Sequence, residues 1–170
     1  MASAPERVAA IIRDAGGTVV GRTRLQKTAY FLDVAGYGDG FDFLYRNYGP
    51  FSEEIAESAR SGALLGVLNE EVRRADWGGN YSIYTVDMPP DEDIPKGRRE
   101  LATCAAVGSA IELELAATAV FLFLRGEKNP WKETERRKPL KSSDGRIKKA
   151  RLLLEKLRKI EVKKPLPEFS

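Results

Sequence analysis

The sequence contains no histidine and only one cysteine among its 170 residues. Without an imidazole, Ser-His-Asp and Cys-His nucleophile systems, histidine-containing zinc sites and histidine-based ribonuclease chemistry are all excluded, because each needs a ring that titrates near neutral pH or ligates metal. Carboxylate, lysine or tyrosine chemistry is what remains. Cys104 cannot form an internal disulfide, and its apolar neighbours in "TCAAV" read as the surroundings of a small buried hydrophobe, not of a reactive thiol. Long hydrophobic runs are also missing. The longest apolar stretch, residues 115–124, is half the roughly 20 residues that a spanning helix needs, and residues 1–10 lack the basic-then-apolar layout of a signal peptide. The expected location is the cytoplasm.

What is present is a globular composition, 42% hydrophobic and 31% charged, in a chain long enough to bury about two-thirds of its unfolded surface as one domain. Charge is divided unevenly. Residues 1–124 hold 12 basic and 18 acidic side chains, a net of −6, whereas residues 125–170 hold 16 and 7, a net of +9. The basic stretch "RIKKARLLLEKLRKI" reads either as an amphipathic helix with a solvated face or as an anion-binding face.

Periodicity and punctuation predict a mostly helical α+β fold. A first helix is expected over residues 5–15, with Val8, Ile11, Ile12 and Ala15 as its apolar stripe. A second should start at Thr23, with "TRLQ" as a capping box, and stop at Gly36. "FDFLYRNY" alternates like a short strand carrying Phe41, Phe43 and Tyr45 on one side. Pro50 is expected to open a third helix with Ile55, Ala59 and Leu64 inward. Two β-prone segments then flank Gly78-Gly79-Asn80, a hairpin signal. Three short helices followed by a hairpin give the order of a winged helix-turn-helix-like core with a β-hairpin wing, over residues 1–88. A proline-rich connector (89–96), a helical extension packed on the core (97–162) and a mobile tail (163–170) complete the expected organisation. Within the extension, the helix of residues 109–125 should be central and buried. A brief helix starts at Asn129-Pro130-Trp131, and the last helix should dock Ile147, Ala150, Leu154 and Leu157 on the central one.

"GGTVVGRT", residues 16–23, nearly satisfies a phosphate-binding loop pattern, but a helix precedes it and Arg22 stands where the lysine belongs. Glu112 and Glu114, two apart on a helix, point in different directions and share no site. No acidic residue is expected to pair with a lysine in a catalytic arrangement, so no enzyme activity, metal or cofactor is predicted. The third helix begins Ser52-Glu53-Glu54, which would repel DNA phosphates where a recognition helix needs cations. Tyr45, Tyr48 and Phe51, with Tyr30 and Phe31 on the preceding helix, read either as core or as an anchor for a protein partner at the Gly49-Pro50 step. In "WKETERRKP", Trp131 should seal the core while Arg136, Arg137 and Lys138 face outward.

At "TRLQKTAYFL" and "YRNYGPFSEEI", and again at "LLGVL" and "PW…RRKP", the sequence resembles the YwgA-like proteins, a group associated with SocA-like, Panacea-type antitoxin domains. The resemblance extends from about Thr23 to Leu157. It implies a small non-enzymatic protein with a winged-helix-like core, of a kind often encoded near toxins, defence genes or mobile elements, that acts by holding a partner protein.

Two functional expectations result. The first is a cytosolic interaction module of antitoxin or adaptor type that binds a toxin or defence component through Arg24, Lys27, Tyr30, Tyr48, Gly49, Pro50 and Phe51. The second is a DNA-binding regulator that uses the wing and a basic C-terminal surface of Arg136, Arg137, Lys138, Lys141, Arg146, Lys148 and Lys149. Neither involves a membrane.

Overall fold

The computed structural model describes residues 1–170 and shows an α+β architecture dominated by helix. Seven α-helices, α1 (Ala4–Asp14), α2 (Arg22–Leu32), α3 (Glu53–Leu64), α4 (Lys96–Ala106), α5 (Ala110–Leu124), α6 (Pro130–Arg137) and α7 (Arg146–Arg158), accompany five strands. These are β1 (Thr18–Val20), β2 (Leu44–Arg46), β3 (Gly49–Phe51), β4 (Asn69–Arg74) and β5 (Asn80–Thr85). β1, β5 and β4 form an antiparallel sheet in that spatial order, with Val19 opposite Tyr84 and Val72 opposite Ser82. β2 and β3 form a separate antiparallel pair.

Helix α1 starts with a reciprocal cap: Ser3 Oγ accepts from the Glu6 amide while the Glu6 carboxylate accepts from the Ser3 amide. Its stripe of Val8, Ile11 and Ile12 is fully buried. Ser109 caps α5, whose Leu113, Leu115, Ala116, Ala117, Ala119 and Val120 have no exposed surface, so this helix runs through the centre of the core. Helix α7 packs on α5, burying Ala150, Leu154 and Leu157 as its sequence stripe predicts. Each such leucine contributes roughly 1.5–3 kcal/mol. The link between α1 and α4 is ionic: buried Arg98 donates to Asp14 Oδ2 at 2.7 Å, to Asp39 Oδ2 at 3.1 Å and to the Tyr37 carbonyl at 2.8 Å. Arg13 holds the other Asp14 oxygen at 2.7 Å.

Several local expectations are corrected. Helix α2 begins one residue early, with Gly21 as its cap at a φ of +91°. Thr23 does not cap it, because pairing of Val20 with Ile83 fixes where the chain leaves the sheet. Pro50 lies in β3 opposite Tyr45 and does not open α3; Ser52 caps α3 instead by accepting from the Ile55 amide. Phe41 and Phe43 precede the strand, and Leu64, at the far end of α3, is exposed. The tail is not loose. Leu166 is buried, the Phe169 ring stacks 4.9 Å from Phe123, and the Lys164 amide donates to the Ala35 carbonyl at 2.8 Å. No helix is long and apolar enough to cross a membrane.

Candidate functional site

Asn47 and Tyr48 form the tip of the tight β2–β3 hairpin, and long-range bonds hold the backbone around them from below. Lys138 Nζ donates to the Asn47 carbonyl at 2.7 Å, and Lys27 Nζ donates to the Pro50 carbonyl at 2.7 Å. The Gln26 carboxamide grips both sides of one residue, accepting from the Ser52 amide and donating to its carbonyl at 2.9 Å each. Gly49 adopts a φ of +86°, and a Cβ there would come within 2.4 Å of Thr118 Oγ1. Only glycine suits both the conformation and the close approach.

Beneath this corner lies a buried charge network. The Glu114 carboxylate, almost without exposed surface, receives Lys141 Nζ at 2.9 Å and Lys138 Nζ at 3.0 Å. Thr118 donates to the Glu114 carbonyl at 2.8 Å. Lys27 is fully buried in the same place. Desolvation lowers its pKa to about 7, with Lys138 and Lys141 reinforcing the effect and Glu114 opposing it. Three lysines thus face one carboxylate, and the only side-chain hydrogen bond of Lys27 is to a carbonyl.

The clamp leaves the Tyr48 side chain 55% exposed, with Lys141 Nζ 4.3 Å from its ring centroid. Tyr48 forms one wall of a cleft of about 690 Å³ between the start of α2 and the β4–β5 hairpin. Val20, Arg22, Arg24, Val72 and Trp77 also line it. Val72 lies directly opposite buried Ser82 on the same sheet face, but on the edge strand β4 and not the central strand β5, and it is exposed as the floor of a slot. Arg24 is fixed in orientation by donating to the Gly108 carbonyl at 2.8 Å and the Val20 carbonyl at 3.1 Å.

Of the expected partner-binding residues, Arg24 and Tyr48 meet at this slot, and Phe51 is partly buried in β3. Lys27, Tyr30, Gly49 and Pro50 are buried, so their part is to hold the corner or fill the core, and direct contact with a partner is closed to them. The basic set also divides. Lys138 does not face outward but sits in the Glu114 network with Lys141, while Arg136 and Arg137 both bond Glu133. Arg146 is partly buried, and Lys148 and Lys149 are exposed on α7. Glu114 pairs with Lys138 and Lys141, an ionic contact that the sequence did not show. Sequence reasoning also missed Gln26 and Thr118 as supports and Arg22, Val72 and Trp77 as slot residues. "WGG" held a signal for Trp77, because a large ring beside a hairpin turn projects past the core. Comparison of the chain with protein-family models, with curated proteins and with solved structures returned no match.

Proposed function

We propose that this chain is a non-enzymatic, cytosolic protein-interaction module of antitoxin, adaptor or defence-associated type, and that it holds its partner at the Tyr48 corner and the adjoining slot. The observation that carries this reading is the exposure of Tyr48 (55%), Val72 (58%) and Trp77 (76%) around one cleft. Large apolar side chains gathered and held open to water mark interaction surfaces, and Tyr and Trp are prominent among residues that dominate binding energy. A fixed backbone beneath Tyr48 lowers the entropy lost on binding. The resemblance to YwgA-like proteins supports the same reading. So does the sheet order β1-β5-β4 with α1, α2 and α3 in their places along the chain, which fits a winged-helix-like scaffold with β4–β5 as wing and the β2–β3 corner inserted between the second and third helices.

Affinity capture from the native host, comparing the wild-type chain with Tyr48→Ala/Trp77→Ala, tests the proposal. A discrete protein retained by the wild type and lost by the double variant, with melting unchanged, is the expected result. Equal retention by a folded double variant would overturn it. Exposed Lys148 and Lys149 on α7 favour DNA as the rival ligand. Salt-sensitive duplex binding that disappears on reversing these two charges would put that reading in its place.

A further inference from the structure

The slot combines an apolar lining with charge of one sign. Arg22 and Arg24 are its charged lining residues, and Lys141, itself paired with Glu114, lies beside Tyr48 at its edge. Arg22 is exposed, and the carbonyls that orient Arg24 leave its charge unneutralised. We propose that the slot receives an extended acidic peptide segment of the partner protein, with one or two carboxylates meeting Arg22 and Arg24 and an apolar side chain lying on Trp77 and Val72. This rests on the protein-partner reading above and specifies the chemistry of that partner.

Charge spacing separates such a segment from a nucleic acid strand. A strand carries one negative charge per nucleotide, and its affinity grows with the number of phosphates neutralised along a track. The slot offers two lining arginines, not a track. Its sheet side carries a carboxylate of its own: Glu70, on the same face of β4 as Val72, accepts from Ser82 Oγ at 2.5 Å. This limits the negative charge an occupant can bring. A peptide with isolated acids between apolar residues meets that limit, whereas a continuous row of phosphates does not.

A short random-peptide display library, sorted on the wild-type chain and depleted on Tyr48→Ala/Trp77→Ala, provides the test. Enriched peptides should be net acidic with at least one large apolar residue. The strongest, made synthetically, should change tryptophan emission saturably, because Trp131 is buried and Trp77 supplies the exposed signal. Arg22→Glu, a surface change that leaves folding intact, should weaken that peptide about tenfold. Slot-dependent peptides that are neutral or basic would overturn the charge assignment while leaving the protein-contact reading in place. Failure to enrich any slot-dependent peptide would overturn the proposal, and the capture experiment would then judge the broader reading separately. Oligothymidylate binding that requires Tyr48 and Trp77, with no peptide response, would overturn both.

Discussion

Two buried charge networks tie distant parts of this molecule together, and they are composed differently. Around Arg98, two guanidinium groups meet the carboxylates of buried Asp14 and partly buried Asp39, with partly exposed Asp91 3.8 Å from Arg13 at the rim, so each buried charge has an opposite partner. Around Glu114, one carboxylate serves Lys138 and Lys141 while Lys27 stands beside them. The matched network joins α1, α4 and the turn after α2, and carries no exposed recognition side chain. The unmatched one supports the backbone of an exposed tyrosine. Matched charge serves cohesion, whereas the lysines at the corner hold a loop in one shape, with Lys141 reaching from Glu114 to the ring of Tyr48.

Removing the hub of the matched network should give the largest effect. Arg98→Ala leaves Asp14, almost fully buried, and Asp39 without their main counter-ion, and should cost about 3–5 kcal/mol in chemical denaturation. A loss under about 1 kcal/mol would show that the pairing contributes little and would erase the contrast with the corner. An intermediate effect is expected at the corner itself. Gly49→Ala meets both an unfavourable φ and Thr118 Oγ1, and should cost about 1–3 kcal/mol while weakening slot ligands more than it weakens the fold. Unchanged binding in this variant would mean that the backbone shape at Tyr48 is irrelevant to recognition.

The smallest effect is a slope. Lys27 has a folded pKa of about 7 against an ordinary value of 10.5. Between these limits the unfolded chain holds a proton that the folded chain has released. Stability from this group therefore rises with pH above 7, by about 1.4 kcal/mol per unit at most, and is flat below 7 where both states are protonated. Lys27→Met should remove that rise, read as the difference between variant and wild-type denaturation at pH 7 and pH 9. Parallel pH profiles for the two proteins would show that Lys27 stays charged when folded, and the two networks would then differ less than their composition indicates.

The parts of the fold legible in the sequence are those fixed by neighbours along the chain. The stripe of Val8, Ile11 and Ile12, the apolar run of α5, the Ala150, Leu154 and Leu157 face and the Gly78-Gly79 turn all declare themselves through spacing. The corner was only half legible. Tyr48 and Arg24 could be singled out as an aromatic beside a Gly-Pro step and a nearby cation, but the clamp could not. Gln26 stands where a local capping box would use it, yet its amide is spent on Ser52 in another element. Lys138 follows two arginines and reads as solvated, yet a single carboxylate far back in the chain draws it inward. Pro50 has the preferred chemistry of a helix start, but strand pairing with Tyr45 overrides it. For Gln26 and Lys138 a long-range partner that no local pattern encodes outcompetes a local preference, and for Pro50 the competitor is the adjacent strand of a tight hairpin.

The bond from Lys138 to Asn47 spans 91 residues. Hairpins and single helices close within microseconds, but a contact across so much chain must wait until the intervening loop is gathered in. The β4–β5 hairpin is therefore expected to form early, and the clamped corner late. Recognition at the proposed slot would in this way be reserved for molecules that have finished folding: a half-formed chain would have the β4–β5 hairpin but lack the corner that it faces.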